Sequence, residues 1–287
     1  MLIAAVLWGF AFSAQSSGMK FVGPMLFVML RSIVGVAALM TVILLRRFFM
    51  RKNTAEKREN QYKDLLVGGT LCGLAIAFAS SFQQLGLITT SAGKSGFMTA
   101  LYIIIVPLLG IFFKRKTSPL LCIAVALSLF GSYLLCGGVG AIGKGEWFVI
   151  ACAFIYSIHI MVIDRYAAKC DCVRLSCIQF MVATVLASAG SLLSGEPWAA
   201  ENIHSAMPFW IFCGIGSSAT AFTLQMVAQK YLHPVTATLL MSLESVFAVL
   251  GGWIFLKEVL TPRELAGCAI IFAAVIITQI PLKKKEN

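Results

Sequence analysis

Charged residues are scarce in this chain of 287 residues. Only 12% are Asp, Glu, Lys or Arg, about half of the roughly 25% found in soluble domains, while 59% are hydrophobic. A chain with so few charges cannot cover its surface with polar groups in water. The scarcity excludes an ordinary soluble domain and indicates an integral membrane protein.

Motifs typical of metalloenzymes and nucleotide-driven pumps are also missing. The sequence has no His-Glu-x-x-His stretch and no Gly-x-x-x-x-Gly-Lys-Ser/Thr loop. Its nine cysteines form no metal-binding spacing, since Cys170 and Cys172 are a lone pair and the others stand singly. We therefore expect no metal site, no cofactor and no catalytic residues.

About ten apolar segments are long enough, or nearly so, to cross a bilayer, which requires roughly 20 residues in a helix. Isolated strands would leave backbone groups unpaired in lipid, so the segments should be helices. The sequence predicts an all-α integral membrane protein with spans at Leu2–Phe21, Met25–Leu45, Leu65–Leu87, Gly93–Phe113, Leu120–Cys136, Trp147–Ile163, Val173–Leu193, Phe209–Ala228, Val235–Leu256 and Leu265–Ile280.

The short links between these segments carry proline and most of the positive charge. Pro24, Pro119, Pro234 and Pro262 each stand where a helix should begin. With both termini in the cytoplasm, seventeen Lys and Arg residues fall inside and five outside. This placement indicates a multi-pass protein of the cytoplasmic membrane and argues against nucleic acid as a partner, despite a net charge of +11.

The apolar N-terminal stretch lacks a basic region, so we expect no cleavable signal peptide.

The two halves of the chain can be overlaid, residues 1–140 on residues 141–287. Gln83 matches Gln225 and Lys116 matches Glu258 at a shift of 142, while Arg31 matches Gln179 at a shift of 148. Each half holds five spans, an odd number, so the second copy must cross the membrane in the opposite sense. Inverted repeats of this kind are typical of secondary transporters.

Two stretches resemble a known family. The first repeat of EamA-type transporters, in the drug/metabolite transporter superfamily, is similar to residues 82–87, 90–97 and 101–107. The second repeat of these transporters is similar to residues 242–248 and 256–258. The family often has Pro at the position of Ser245 and an acidic residue at that of Lys116. The resemblance implies ten helices in two inverted five-helix repeats, a central cavity, and export or exchange of small metabolites.

Glu244 is the sharpest candidate for function. It lies near the middle of the ninth span, where a charged carboxylate is costly unless it is paired, protonated or in a wet cavity. We expect it to line the substrate cavity and to carry a coupling proton. The alternative is a structural carboxylate bonded to a neighbouring helix.

Two cations stand at or inside predicted spans. Lys94 opens the fourth span, and Arg31 lies about six residues into the second. Each either attracts an anionic group of a substrate, or pairs with Glu244, or extends to the lipid headgroups.

Amides and aromatics complete the predicted cavity. Gln83 and Gln225 lie within two polar clusters, one around Ser80 and one running from Ser217 to Thr223. Interhelical hydrogen bonding would explain them equally well. Trp8 and Gln15 share a face of the first span, Tyr156 and His159 a face of the sixth, and Tyr102 matches Glu244 across the repeat. Plain packing is the alternative for the aromatics, and a hydrogen-bonded helix residue for His159.

These observations together predict a secondary transporter. We expect it to move small organic metabolites, amino-acid-like or drug-like, across the cytoplasmic membrane by alternating access, as an exporter driven by protons or by exchange. The alternatives are an integral-membrane enzyme, which would need paired acid and base groups facing one leaflet, and a passive channel. Lipid and a small-molecule substrate are the expected partners.

Overall fold

The computed structural model describes residues 1–49, 58–112, 119–135, 143–257, 259 and 261–279. Within these ranges every regular element is a helix. The elements are α1 (Leu2–Gly18), α2 (Pro24–Phe49), α3 (Arg58–Gly86), α4 (Ala92–Thr99), α5 (Tyr102–Phe112), α6 (Pro119–Leu135), α7 (Lys144–Tyr166), α8 (Cys172–Leu193), α9 (Ala200–Ser205), α10 (Met207–Phe212), a π-helical segment (Cys213–Ala221), α11 (Phe222–Gln229), α12 (Pro234–Met241), α13 (Leu243–Leu256) and α14 (Pro262–Gln279).

In the described ranges, seven helical stretches are long and apolar enough to cross a membrane. They are Pro24–Phe49, Gln61–Gly86, Ala92–Gly110, Lys144–Tyr166, Cys172–Leu193, Met207–Gln229 and Pro234–Leu256. The other predicted spans coincide with shorter apolar helices at Leu2–Gly18, Cys122–Gly131 and Leu265–Ile277. The prediction of an all-helical protein with several membrane-spanning helices is therefore confirmed for the described residues, while the count of ten spans in two repeats stays a prediction. The predicted span ends Phe113, Cys136 and Ile280 and the matched positions Lys116 and Glu258 lie outside the described residues.

The predicted proline punctuation is confirmed at four helices. α2, α6, α12 and α14 begin at Pro24, Pro119, Pro234 and Pro262. Proline suits the first position of a helix because its fixed φ matches the helix and its missing N–H would have no partner there.

Two of the predicted spans are interrupted, which the sequence analysis did not foresee. Gly93–Phe113 is broken between Thr99 and Tyr102, and Val235–Leu256 is broken at Ser242. The helices before the two breaks end 142 positions apart, at Thr99 and Met241, and the helices after them begin 141 positions apart, at Tyr102 and Leu243.

Different side chains favour the two breaks. In α5, Pro107 withholds the N–H that would bond to the carbonyl of Ile103, which weakens the first turn after the break. The residues at the break itself make tighter i−3 bonds, such as Ile104 N to Leu101 O. In the other break the hydroxyls of Ser242 and Ser245 donate to carbonyls three residues earlier, at 2.7 and 2.6 Å. Such back-bonding competes with the helical hydrogen bonds and bends helices.

The stretch Met207–Gln229 also departs from a regular helix. Its middle, Cys213–Ala221, is π-helical over nine residues. The Thr220 hydroxyl donates to the carbonyl of Ile215, five positions earlier, at 2.8 Å. π-helical turns are rare and are frequently found at functional sites.

Helices from the two halves of the chain interleave in the bundle. The most extensive packing joins α3 to α7 and α8, α2 to α8, α6 to α14, and α1 to α13. Gly73 of α3 lies so close to α8 that an added Cβ would stand 2.9 Å from the carbonyl oxygen of Gln179. Gly214 of the π-helical segment approaches α2 in the same way, with 2.8 Å to the carbonyl oxygen of Arg31. These contacts bring the buried polar side chains of neighbouring helices within reach of one another.

Candidate substrate cavity

A cavity lies where the interrupted helices meet the rest of the bundle. Its volume is about 30 Å³, room for about two water molecules at roughly 10–15 Å³ each. Every residue that lines it is at least nine-tenths buried. The lining residues are Trp8, Phe12, Gln15, Arg31, Gln83, Thr99, Tyr102, Tyr156, Ser217, Phe222, Gln225, Met241 and Glu244.

Tyr102 and Glu244 join the two interrupted helices. Tyr102 is the first residue of α5, and Glu244 is the second residue of α13. The Tyr102 hydroxyl donates to Glu244 Oε1 at 2.7 Å, and both side chains are buried, with 1% and 4% of their surface exposed. One oxygen of a buried carboxylate is thus held in place while the group stays in the cavity wall.

Arg31 brings the opposite charge into the same cavity. Its Nη1 donates to Gln15 Oε1 at 3.2 Å, and its Nε has no hydrogen-bond partner. Among the described residues, neither Arg31 nor Glu244 forms an ion pair. Because an isolated charge is costly inside a membrane protein, the cavity offers two complementary charges that a ligand could satisfy.

Two glutamine side chains contact the last residues of α4 and α12. Gln83 Nε2 donates to the Thr99 hydroxyl at 3.2 Å, and Gln225 Nε2 approaches Met241 Sδ at 3.7 Å. The two pairs have the same spacing of 16 residues. Because sulfur is the weaker acceptor and Gln225 Oε1 has no partner, Gln225 is the less satisfied of the two amides.

Eight of the ten predicted site residues line this cavity, and two do not. Lys94 instead forms a 3.0 Å ion pair with Glu146, where α4 and α7 begin. His159 is fully buried outside the lining, with its Nε2 at 2.9 Å from Gln179 Oε1. The eight are Trp8, Gln15, Arg31, Gln83, Tyr102, Tyr156, Gln225 and Glu244.

Sequence reasoning missed several of the lining residues as individual candidates. Phe12 shares a face of α1 with Trp8, and Ser217 belongs to the polar cluster, so both carried a signal. Thr99 and Met241 could have been found as a pair because they are 142 positions apart, like the glutamines they contact. Phe222 carried no signal among the 21 phenylalanines of the chain.

The described residues contain no group of three or more His, Cys, Asp or Glu side chains that could hold a metal ion. Eight cysteines in that part of the chain are free thiols.

Comparison with known proteins decides the family. The model of the EamA-like transporter family matches residues 1–137 and again residues 143–280. The chain belongs to the EamA-like transporter family. Two matches in tandem cover nearly its whole length, which agrees with the resemblance in both stretches of sequence.

Relatives of this EamA-family protein include characterised and uncharacterised transporters. An uncharacterized transporter of Archaeoglobus fulgidus is 27% identical over 74% of this chain and 68% of its own length. The threonine/homoserine exporter RhtA of Escherichia coli K12 is 29% identical over 46% of this chain and 44% of its own length. The uncharacterized transporter YoaV of Bacillus subtilis is 20% identical over the full chain and 97% of its own length.

A solved structure shares the fold. A crystal structure of a protein superposes with a TM-score of 0.73 at 19% identity, over 96% of this chain and 94% of the other. At this identity the likeness concerns the fold alone. The two family matches, together with the apolar helices, identify the chain as a multi-pass membrane transporter of this family.

Proposed function

We propose that this protein is a secondary transporter for zwitterionic, amino-acid-like solutes. The observation that carries the proposal is the presence of two opposite charges, Arg31 and Glu244, in one buried cavity where neither forms an ion pair with any residue that the structure describes. An α-amino acid carries the complementary pair of charges on a small frame.

The unpartnered polar atoms suggest how such a solute would bind. Arg31 Nε and Trp8 Nε1 are free donors, so they suit the solute's carboxylate. Glu244 and the free Gln225 Oε1 are acceptors, so they suit its ammonium group. Gln15, Gln83, Tyr102 and Tyr156 would then fix its orientation. The cavity has room for only about two waters, so the walls must part when a solute enters.

The transport cycle would use two inverted repeats of five membrane helices each, residues 1–140 and 141–287. The tandem family matches support this division. So do the paired helix breaks and the packing of α2 on α8 and of α6 on α14, since each pair joins equivalent helices. The two repeats would rock about the cavity and open it to one side at a time.

We further propose that both termini lie in the cytoplasm and that the direction of transport is export across the cytoplasmic membrane. The excess of Lys and Arg in the links assigned to the inside supports this orientation. The direction is supported by the similarity to RhtA, which is a threonine/homoserine exporter. Lys94 would then lie at the outer face, with Glu146.

The driving force is proposed to be the proton gradient through Glu244, or exchange of solutes. The test is threonine flux in proteoliposomes containing the whole chain, with and without an imposed pH gradient, for the wild type and Glu244→Gln. We expect the variant to lose gradient-driven accumulation and to keep counterflow at a raised half-saturating concentration, because the amide still accepts a hydrogen bond from the ammonium group but carries no charge. Glu201→Gln, on the exposed α9, is the matched control.

Each outcome of this test has a distinct meaning. If the variant accumulates threonine as well as the wild type does, Glu244 is not the coupling group. If the wild type carries threonine down its gradient but shows no counterflow, the protein is a passive channel rather than a transporter. If neither threonine nor a mixture of the other amino acids in the same proteoliposomes shows flux, the proposed substrate class is wrong.

A further inference from the structure

We propose that His159 and Gln179 form a second polar half-site for the solute, which Phe222 closes off from the central cavity in this conformation. The ligand is the polar end of an amino-acid-like solute. This inference rests on the proposed function for the identity of the solute, but the closure by Phe222 can be tested without any solute.

The His159–Gln179 pair is incompletely satisfied although it is fully buried. His159 Nε2 lies 2.9 Å from Gln179 Oε1, and neither side chain has exposed surface. Within the part of the chain that the structure describes, His159 Nδ1 and Gln179 Nε2 have no hydrogen-bond partner. With Gln179 Oε1 as the acceptor, the pair offers one free donor and one free acceptor. Buried polar atoms are nearly always paired in native proteins, so a partner is expected in some other state.

The pair is the counterpart of one that already lines the cavity. Arg31 lies seven positions after the first residue of α2, and Gln179 seven positions after the first residue of α8. Each bonds to a side chain on another helix, Arg31 to Gln15 and Gln179 to His159. The first pair faces the cavity and the second does not. In a transporter with inverted repeats the two positions would exchange roles as the sides alternate.

Phe222 is the barrier between the cavity and the second pair. Its ring lies in the cavity wall, 4.9 Å from the Trp8 ring and 6.4 Å from that of Tyr156. It also packs edge-on against His159, with 5.7 Å between ring centroids. Tyr156, which also lines the cavity, packs edge-on against His159 at the longer distance of 6.3 Å. The Phe222 ring is therefore the nearer of the two side chains that separate the histidine from the space that a solute would occupy.

The backbone next to Phe222 can supply its movement. Phe222 follows directly after the π-helical segment Cys213–Ala221. A π-helix takes more residues per turn than an α-helix, since its bonds run from i to i+5. Conversion of one π turn to α would rotate the start of α11 relative to α10 and turn the ring of Phe222 away from His159.

The two half-sites differ in charge, which predicts an asymmetry. Arg31 offers a cation to a carboxylate, whereas His159 and Gln179 offer a neutral donor and acceptor. Charge-assisted hydrogen bonds are the stronger kind, so the solute should bind more weakly when it faces the second pair. A transporter built in this way releases its solute more readily on that side.

The first test measures the accessibility of His159. The purified whole chain is treated with diethyl pyrocarbonate, and the modified histidines are identified by mass spectrometry. Phe222→Ala should raise the labelling rate of His159 at least tenfold, with Phe222→Val as a second variant should the first fail to fold. The exposed His204 is the internal reference and should change less than twofold.

Phe27→Ala is the matched control for this experiment. Phe27 is fully buried, but it packs in a hydrophobic cluster with Leu26 and Ala187 that does not include Phe222. It should leave the labelling of His159 unchanged. If the Phe222 variants label His159 at the wild-type rate, or if Phe27→Ala raises the rate equally, Phe222 does not close the second half-site and the proposal fails.

The second test measures whether Gln179 serves the solute from one side only. Threonine uptake is compared in right-side-out and inside-out membrane vesicles. Gln179→Leu should raise the half-saturating concentration at least tenfold in one orientation and less than twofold in the other. Gln84→Leu is the control, because Gln84 is equally buried and its amide also has unpartnered polar atoms among the described residues, but it does not line the cavity.

Equal effects of Gln179→Leu in both orientations, or no effect in either, would overturn the second half-site. If no threonine uptake occurs in the wild type, the proposed solute is wrong, and the labelling experiment alone decides whether Phe222 closes off the pair.

Discussion

The hydroxyl of Tyr102 donates a 2.7 Å hydrogen bond to the carboxylate of Glu244, which lies 142 positions further along the chain. Each residue follows the point at which its membrane helix is broken. A buried carboxylate is thereby tied to the opposite half of the bundle. The bond links the cavity wall to the relative position of α5 and α13.

Tyr102→Phe keeps the ring but removes this donor. A buried acceptor that loses its partner costs about 1–3 kcal/mol, so we expect a lower thermal unfolding midpoint in detergent. Tyr133→Phe is the control, since the Tyr133 side chain is 41% exposed on the outside of the bundle and its ring contact with Arg263 survives. Equal midpoints for the two variants would show that the bond contributes nothing to stability.

Polar residues on apolar helices were the part of the cavity that the sequence could indicate. A buried charge or amide is costly in hydrocarbon, so a polar residue inside an apolar segment indicates a functional position. Glu244, Arg31, Gln83 and Gln225 could be recognised from the sequence in this way. All four line the cavity. Their roles in binding and coupling stay predictions, because geometry alone does not test them.

Features that depend on distant partners or on backbone geometry could not be read in this way. Lys94 pairs with Glu146, 52 positions away, and nothing local to either residue indicates the other. The break at Ser242 and the π-helical segment depend on hydrogen bonds between side chains and the backbone that several conformations could satisfy. Phe222 is one apolar residue among many until its ring contacts are known.

The Lys94–Glu146 pair should contribute measurably to stability. Its atoms are 3.0 Å apart, and the side chains are 30% and 10% exposed. A double-mutant cycle with Lys94→Met and Glu146→Gln should give a coupling free energy of about 1 kcal/mol.

The Arg46–Asp171 pair is the reference for that measurement. It is longer, at 3.8 Å, and its side chains are 54% and 50% exposed. The same cycle on this pair should give a value near zero, as is typical of exposed ion pairs. Equal coupling in both pairs would mean that the burial of Glu146 adds nothing.

Two glycines of the π-helical segment should differ sharply in their tolerance of alanine. A Cβ on Gly214 would lie 2.6 Å from the Val34 side chain and 2.8 Å from the carbonyl oxygen of Arg31. Such overpacking costs about 1–3 kcal/mol. A Cβ on Gly216 would meet only ordinary contacts, at 3.4 Å or more. We expect Gly214→Ala to lower the unfolding midpoint and Gly216→Ala to leave it nearly unchanged, and the reverse order would contradict the close contact of α2 with this segment.

The Cys170 thiol lies between α7 and α8, and burial, assisted by the Asp64 carboxylate, raises its pKa above the ordinary value. Alkylation requires the thiolate, so near pH 8 Cys170 should react with iodoacetamide more slowly than glutathione in the same tube. Its rate should still be rising at a pH where that of glutathione has levelled off. Asp64→Asn removes the negative charge that raises the pKa, so the rate profile should shift toward lower pH.

Peptide mapping by mass spectrometry distinguishes Cys170 from Cys172. A profile that coincides with that of glutathione and does not respond to Asp64→Asn would mean that Cys170 is more open to water than its 5% exposure indicates.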